Sequence, residues 1–281
     1  MKILHTADWH LGQTFYEYDR REEHFHFLEW LKQQIKQHEI DVLLIAGDVF
    51  DSPNPSAESQ RVYYRFLREV TSENPSLQIV IIAGNHDSAA RLEAPNPLLE
   101  DMNIIVRGTV RRNAEGDIDL QHFIVPLYTE GKVTAYCLAV PYLRQGDYPS
   151  AENYSKGVQQ LYEQLFNKVK EKGIPVVAMG HLQATGSEIS EDDRSERTVI
   201  GGLECVSPDA FNEAITYTAL GHLHRSQRVS HRENVRYSGT PMPMSFAEKN
   251  NASGVVMITI DTEGTNIEKL EFQPLAGLVS I

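Results

Sequence analysis

A pattern that recurs five times constrains the fold more than any other feature: an apolar run, a small residue, then a carboxylate, imidazole or amide. Its fullest copy is Ile79 to Ser88 (IVIIAGNHDS). A continuous apolar run closed by Gly reads as a strand buried on both faces. Such a strand delivers its next residues to a loop at its carboxyl end, where open α/β sheets place their ligands. The other copies are Ile3 to His10 (ILHTADWH), Asp41 to Asp51 (DVLLIAGDVFD), Val176 to His181 (VVAMGH) and Tyr217 to His224 (YTALGHLH). If the five ends share one site, the span from Asp8 to His224 is a single domain.

Between these runs the chain alternates. A strand at 2–6 leads to a helix near 20–38 with Phe25, Phe27, Leu28, Leu31 and Ile35 as its apolar stripe. A strand at 41–46 leads, after the proline-broken DSPNPS, to a helix near 57–72. A strand at 78–83 leads to a helix near 89–101, interrupted by Pro95 and Pro97. This βαβαβ order predicts a largely parallel sheet. Beyond Asn103 the reading is of strands at 103–112, 117–126 and 133–140, then a helix near 151–172 ending at Gly173. Further strands are expected at 174–179, 215–220, 226–230, 234–238, 254–260 and 267–273. Two packed mixed sheets with helices outside them fit this order better than one sheet.

Composition removes several classes. With 41% hydrophobic and 23% charged residues in 281 positions, the chain is an ordinary globular one that buries a sizeable core. Two cysteines, Cys137 and Cys205, make neither a disulfide framework nor a thiol metal site. No apolar run approaches the roughly 20 residues of a membrane helix, and MKILHTAD enters a strand at once, so a cytosolic location is expected. The net charge of −13 argues against a general polyanion-binding surface. Part of that excess lies in Glu188 to Glu196 (EISEDDRSE), read as a solvated acidic loop. Arg225, Arg228, Arg232 and Arg236, after the last polar strand end, are either a basic rim for an anionic ligand or scattered surface arginines.

The strand ends supply Asp8, His10, Asp48, Asn85, His181, His222 and His224. Carboxylates, imidazoles and an amide without a thiol suit Mn, Fe or Zn better than Mg or Ca, which prefer all-oxygen shells. Seven ligands exceed one tetrahedral site and match two cations that share a carboxylate and keep open positions. Residues i and i+2 of an extended segment point the same way, so Asp8 with His10, and His222 with His224, can each address one cavity. The other histidines lack this setting: His5 reads as a strand residue, His24, His26 and His38 as helical, and His122 and His231 as turn or edge-strand residues.

These blocks resemble the signature of the calcineurin-like metallophosphoesterases: Asp8-x-His10, Gly47-Asp48, Gly84-Asn85-His86-Asp87, Gly180-His181 and Gly221-His222-Leu223-His224, all in order. Within that superfamily HTADWHLGQ, GDVFDSPNP, AGNHDS, ECVSPDAF, YTALGHLHRSQ and YSGTPMPMSFAE are similar to the SbcD family of bacterial nuclease subunits, counterparts of the Mre-type repair nucleases. The resemblance implies a four-layer αββα sandwich over residues 1–270, with 271–281 leading toward a capping and partner-binding region expected to be absent from this chain. It implies that Asp8, His10, Asp48 and His224 hold one metal and that Asn85, His181 and His222 hold the second, with Asp48 bridging. His86 then acts on the scissile phosphate or the leaving oxygen, and Asp87 orients a neighbour.

The implied activity is two-metal hydrolysis of phosphodiesters in DNA, with Mn²⁺ as the first choice of metal and Mg²⁺ as the alternative. It comprises 3′ to 5′ exonuclease action on double strands and endonuclease action on single strands and hairpins. The implied partners are DNA, an SbcC-type ATPase and a second copy of the chain. The helix candidates 57–72 and 89–101, with Val62, Tyr63, Phe66, Leu67 and Val70, and Leu92, Leu98, Leu99 and Met102, are the expected dimer region. Asp51 stands where archaeal and eukaryotic relatives have a histidine; it either holds His86 or caps the next turn. Two other readings compete. One is a phosphoesterase acting on nucleotides, another small phosphoester or a phosphoprotein, the last opposed by the missing Arg of GDxVDRG. The other is a metal-free scaffold, opposed by an intact ligand set.

Overall fold

The computed structural model describes residues 1–187 and 205–278, so the acidic stretch Glu188 to Glu196 lies outside the described residues. The first half comprises β1 (Lys2–Thr6), a small hairpin of β2 (Thr14–Phe15) and β3 (Tyr18–Asp19), α1 (Arg21–His38), β4 (Val42–Ala46) and α2 (Ala57–Glu73). It continues with β5 (Gln78–Ile82), α3 (Ala89–Glu93), α4 (Asn96–Leu99) and β6 (Ile104–Arg107). The second half holds α5 (Leu120–Phe123), β7 (Ile124–Thr129), β8 (Lys132–Ala139), α6 (Tyr154–Val169), β9 (Val176–His181) and β10 (Tyr217–Gly221). It closes with β11 (Gln227–Val229), β12 (Arg232–Tyr237), β13 (Gly254–Asp261) and β14 (Gly264–Glu271).

The large strands form two mixed sheets, ordered β14-β13-β1-β4-β5-β6 and β11-β12-β10-β9-β8-β7. The chain returns to the first sheet at its end, where β13 runs antiparallel to β1, while β1, β4, β5 and β6 are parallel as the βαβ order requires. Period-two alternation builds the layers. On β4, Val42, Leu44 and Ala46 face the second sheet beside Cys137, Val177, Met179 and Ala219. Leu43 and Ile45 face outward, under Phe27, Leu31, Phe66 and Val70 of α1 and α2. The outer face of the second sheet is covered by Val158, Leu161, Tyr162 and Leu165 of α6. The order is helix, sheet, sheet, helix, and β1, β4, β5, β9 and β10, the strands whose ends carry the polar residues, are buried on both faces.

Local signals explain the helix ends. Ser56 caps α2 by accepting from Ser59 N at 3.0 Å, and Asn153 caps α6 by accepting from Lys156 N at 2.9 Å. Pro95 and Pro97 divide the expected 89–101 helix into α3, α4 and a 3₁₀ turn at Glu100–Met102. The expected strands at 103–112 and 117–126 are corrected. β6 ends at Arg107 because the Glu93 carboxylate takes Gly108 N at 3.0 Å and Thr109 N at 2.8 Å, drawing them away from the ladder. Asp119 caps α5, so His122 sits on a short helix and β7 begins only at Ile124. Among the described residues no helix is long and apolar enough to cross a membrane.

Candidate metal centre

The carboxyl ends of β1, β4, β5, β9 and β10 meet between the two sheets. Backbone bonds tie the first two exits: Asp8 N donates to Gly47 O and His10 N to Asp48 O, each at 3.0 Å. Glycine is required where loops touch. A Cβ on Gly47 would strike the His181 ring and lie 2.9 Å from Gly84 Cα, and one on Gly84 would strike Asp48. Asp8 (φ 55°), His10 (φ 46°), Asp48 (φ 49°) and His222 (φ 103°) all hold left-handed backbone. Strain of this kind, imposed by the surrounding structure, is concentrated at functional sites.

The side chains converge as well. Ligand atoms of Asp8, His10 and His224 lie within 4.8 Å of one another, as do those of Asp8, Asp48 and His181, and of His10, Asp48 and His86. Asn85 Oδ1 lies 2.9 Å from His181 Nε2 and 3.0 Å from His222 Nδ1. All seven expected ligands and His86 are therefore in one place, with Asp48 common to two of the groups. Asp48 Oδ2 is buried without a directed hydrogen bond and faces His181 Nε2 at 3.2 Å and His10 Nε2 at 3.8 Å. A buried carboxylate oxygen ringed by imidazoles, with an amide oxygen and a second carboxylate beside it, fits a divalent cation.

The electrostatics follow from burial. Burial pushes the Asp8 carboxyl up to about 6. Burial also raises Asp48, but His181, His10 and His86 outweigh it and hold that carboxyl below the usual range. Burial would lower His181, and the Asp48 carboxylate reverses this, raising the imidazole to about 9. The two opposed shifts have one cause, the attraction between the His181 ring and the Asp48 carboxylate 3.2 Å away.

Several residues around the candidate ligands hold them. Asp8 accepts from His222 N at 3.1 Å, and Thr240 Oγ1 donates to Asp8 O at 2.9 Å. Asp87 accepts from Val49 N, Phe50 N and Gly84 N at 3.2, 3.0 and 2.9 Å, clamping two strand exits together. Asp51 does hold His86, but through its backbone and not its side chain. Its carboxylate lies 3.3 Å from His10 Nδ1, and it is the Asp51 carbonyl oxygen, at 3.0 Å, that partners His86 Nδ1. Glu248 is a residue the sequence reading missed. It is 2% exposed, and its carboxylate lies 3.0 Å from His224 Nδ1. The only signal was its place in the YSGTPMPMSFAE block.

The basic rim is largely committed elsewhere. Arg228 and Arg236 both pair with Glu233, and Arg232 donates to Pro208 O and Phe211 O at 2.9 and 2.8 Å. Of the remaining histidines, His5 is in β1, His24, His26 and His38 are on α1, and His231 is in the turn between β11 and β12. Cys137 is a core residue, fully buried.

Residues 1–226 match the calcineurin-like phosphoesterase family. The chain is 41% identical over 92% of its length to the SbcD component of the SbcCD nuclease of Rhodobacter capsulatus, covering 66% of that protein. It is 32% identical over 99% of its length to the Escherichia coli SbcD component, covering 70%, and 30% identical over 92% to that of Bacillus subtilis, covering 66%. It therefore spans about two thirds of the length of these relatives. A solved dimetal phosphatase from Danio rerio is similar with a TM-score of 0.48 and 13% identity, over 96% of this chain and 98% of that one. The chain belongs to the calcineurin-like phosphoesterase family, among the SbcD components of SbcCD nucleases, and is a metal-dependent phosphodiester hydrolase.

Proposed function

We propose that the substrate is DNA, cut as a 3′ to 5′ exonuclease on double strands and as an endonuclease on single strands and hairpins, in repair, recombination and replication. The observation that carries this reading is the convergence of Asp8, His10, Asp48, Asn85, His181, His222 and His224 in a chain similar to nuclease subunits along 92% of its length. Asp8, His10, Asp48 and His224 hold one cation, and Asp48, Asn85, His181 and His222 a second; Mn²⁺ is the first choice and Mg²⁺ the next. When bound, the cations supply Lewis acidity toward phosphate oxygens and lower the pKa of a water for attack on phosphorus.

The chain's own residues do the rest. A carbonyl oxygen only accepts, so the Asp51 O contact requires the proton of neutral His86 on Nδ1. The His86 backbone N–H also donates to Asp48 Oδ1 at 2.8 Å. His86 is thereby fixed through its backbone and one ring nitrogen. The other nitrogen carries no proton in this tautomer, so it donates to the scissile phosphate or passes a proton to the leaving oxygen only once the ring has taken one up.

The proposal extends to assembly. Residues 1–270 form the nuclease domain and 271–281 lead out of it, toward a capping region and an SbcC-type ATPase partner; the setting is the cytoplasm. A homodimer forms through α2 to α4, supported by Leu98, which is 74% exposed on α4. Phe66, at 3% exposed, is a core residue of α2 instead. Leu98→Ser should therefore shift the mass in solution toward the monomer, and an unchanged mass removes the dimer from the proposal.

The deciding experiment digests end-labelled duplex and hairpin DNA with Mn²⁺, Mg²⁺ or EDTA, beside His86→Ala. Metal-dependent cleavage lost in the variant supports the assignment. Hydrolysis of a small phosphodiester without cleavage of DNA moves the substrate to nucleotides or another small phosphoester.

A further inference from the structure

The β2–β3 hairpin and the 3₁₀ turn Phe246–Glu248 raise a patch of aromatic rings beside the metal centre. Tyr16 is 79% exposed, Tyr18 58% and Phe246 42%. Phe246 lies with its ring centroid 5.4 Å from Phe15 and 5.7 Å from Tyr16, so the two segments form one surface. Arg20 fixes it from beneath. It lies 5.5 Å over the Phe15 ring and donates to Gln13 Oε1 at 2.9 Å and Pro243 O at 2.6 Å.

The patch shares its foundations with the candidate ligands. Gln13 N donates to His10 O at 2.9 Å, and Glu248, on the same turn as Phe246, holds His224 Nδ1 at 3.0 Å. The rings therefore belong to the His10 and His224 end of the centre.

Folding alone does not account for these residues. Tyr16 (φ 46°) and Glu17 (φ 69°) are both left-handed, the conformation for which two-residue hairpin turns select Asn and Gly. An exposed tyrosine there gains little from burial and strains the backbone, a combination that points to a binding role. The neighbouring charges narrow the ligand. Asp19 is paired with Arg21 at 2.6 Å and Arg20 with Glu23 at 2.7 Å, which leaves Glu17 beside the tyrosines, so the patch presents ring faces rather than a cluster of cations for a phosphate backbone. Exposed ring faces beside a phosphodiester hydrolase suit a nucleobase, and only an unpaired base offers its own face for stacking.

We propose that Tyr16, Tyr18 and Phe246 form a stacking platform for an unpaired nucleobase next to the scissile phosphate. This selects frayed ends, single strands and loops over intact duplex, and it rests on the reading of DNA as substrate.

The test is a fluorescence-anisotropy titration of a labelled single-stranded oligonucleotide in EDTA, where no cleavage follows. Wild type is compared with Tyr16→Asn/Phe246→Ser, each on an intact strand and on one with abasic sites. Asn suits the left-handed turn, so the variant keeps its fold, checked by its melting temperature and Mn²⁺ titration. The variant is expected to bind the intact strand about tenfold more weakly, since stacking is worth this much or more per base. Wild type should lose a similar factor on the abasic strand and the variant nothing further, while Tyr16→Phe/Phe246→Trp restores binding. Equal binding by variant and wild type, or losses that multiply, overturns the platform. Cleavage of DNA by wild type with Mn²⁺ is measured in parallel. Its absence overturns the substrate reading, whereas cleavage with unchanged binding overturns the platform alone.

Discussion

The Glu248 carboxylate lies 3.0 Å from Nδ1 of His224, while its second oxygen accepts from Met244 N at 2.7 Å. A carboxylate behind an imidazole fixes the ring's orientation and raises its basicity toward a cation. Glu248→Ala is expected to weaken Mn²⁺ binding by about 10- to 100-fold. It should also destabilise the fold by about 1 kcal/mol, because Met244 N loses its acceptor in a half-buried setting. Glu248→Gln keeps an acceptor for Met244 and separates the two effects. A Mn²⁺ titration that shows wild-type affinity for both variants would remove Glu248 from the centre.

Asp51 reaches His86 through its carbonyl oxygen and His10 through its carboxylate. Asp51→Ala therefore leaves the partner of His86 in place and frees the His10 ring. The expected result is weaker cation affinity with turnover largely restored at high Mn²⁺, in contrast to His86→Ala, which no Mn²⁺ concentration restores. A loss in Asp51→Ala that persists at saturating Mn²⁺ would assign the carboxylate to the chemical step instead.

Much of the fold was legible because strands buried on both faces appear as unbroken apolar runs, and their polar ends mark the site. Asp8, His10, Asp48, Asn85, His181, His222 and His224 could be collected from five such exits without knowing the sheet order. Glu248 could not, because a buried carboxylate in the polar string FAEKN looks like any surface one until His224 is placed against it. The early end of β6 was hidden for a related reason: Glu93 lies 15 and 16 residues before the amides it captures. The choice between a basic rim and scattered surface arginines was open for the opposite reason. Arg228 and Arg236 were visible in sequence, but their pairing with Glu233 is a property of the β11–β12 hairpin.

His5 makes stability depend on pH. It is fully buried in β1 with Nδ1 2.9 Å from the Tyr217 hydroxyl, and burial pushes it from 6.5 down to about 3. Between these values the unfolded chain binds a proton that the folded one does not, so the contribution is intact above pH 6.5 and is lost as pH falls toward 3. Asp8 and Asp87, raised by burial to about 6, act in the opposite direction, so the comparison must be between wild type and His5→Gln. From about pH 7.5 to 5, urea unfolding should show wild type losing about 2 kcal/mol more than the variant. Parallel curves for the two proteins would mean that His5 titrates normally in the fold.

Gly84 lets two strand exits touch. A Cβ there would meet the backbone nitrogen and carboxylate of Asp48, and neither can move without displacing the group shared by two candidate ligand sets. At Gly146 the left-handed φ of 94° is the only obstacle, with nothing within 4 Å of an added Cβ. Gly146→Ala should cost about 1 kcal/mol and leave cation binding unchanged. Gly84→Ala should keep the fold, since the helices and both outer cores lie away from the contact, yet weaken Mn²⁺ binding by at least about tenfold as Asp48 is pushed out of register with His10 and His181. If circular dichroism and melting show a folded Gly84→Ala protein with wild-type Mn²⁺ affinity, the exits are looser than their contact implies, and Asp48 is not held by Gly84.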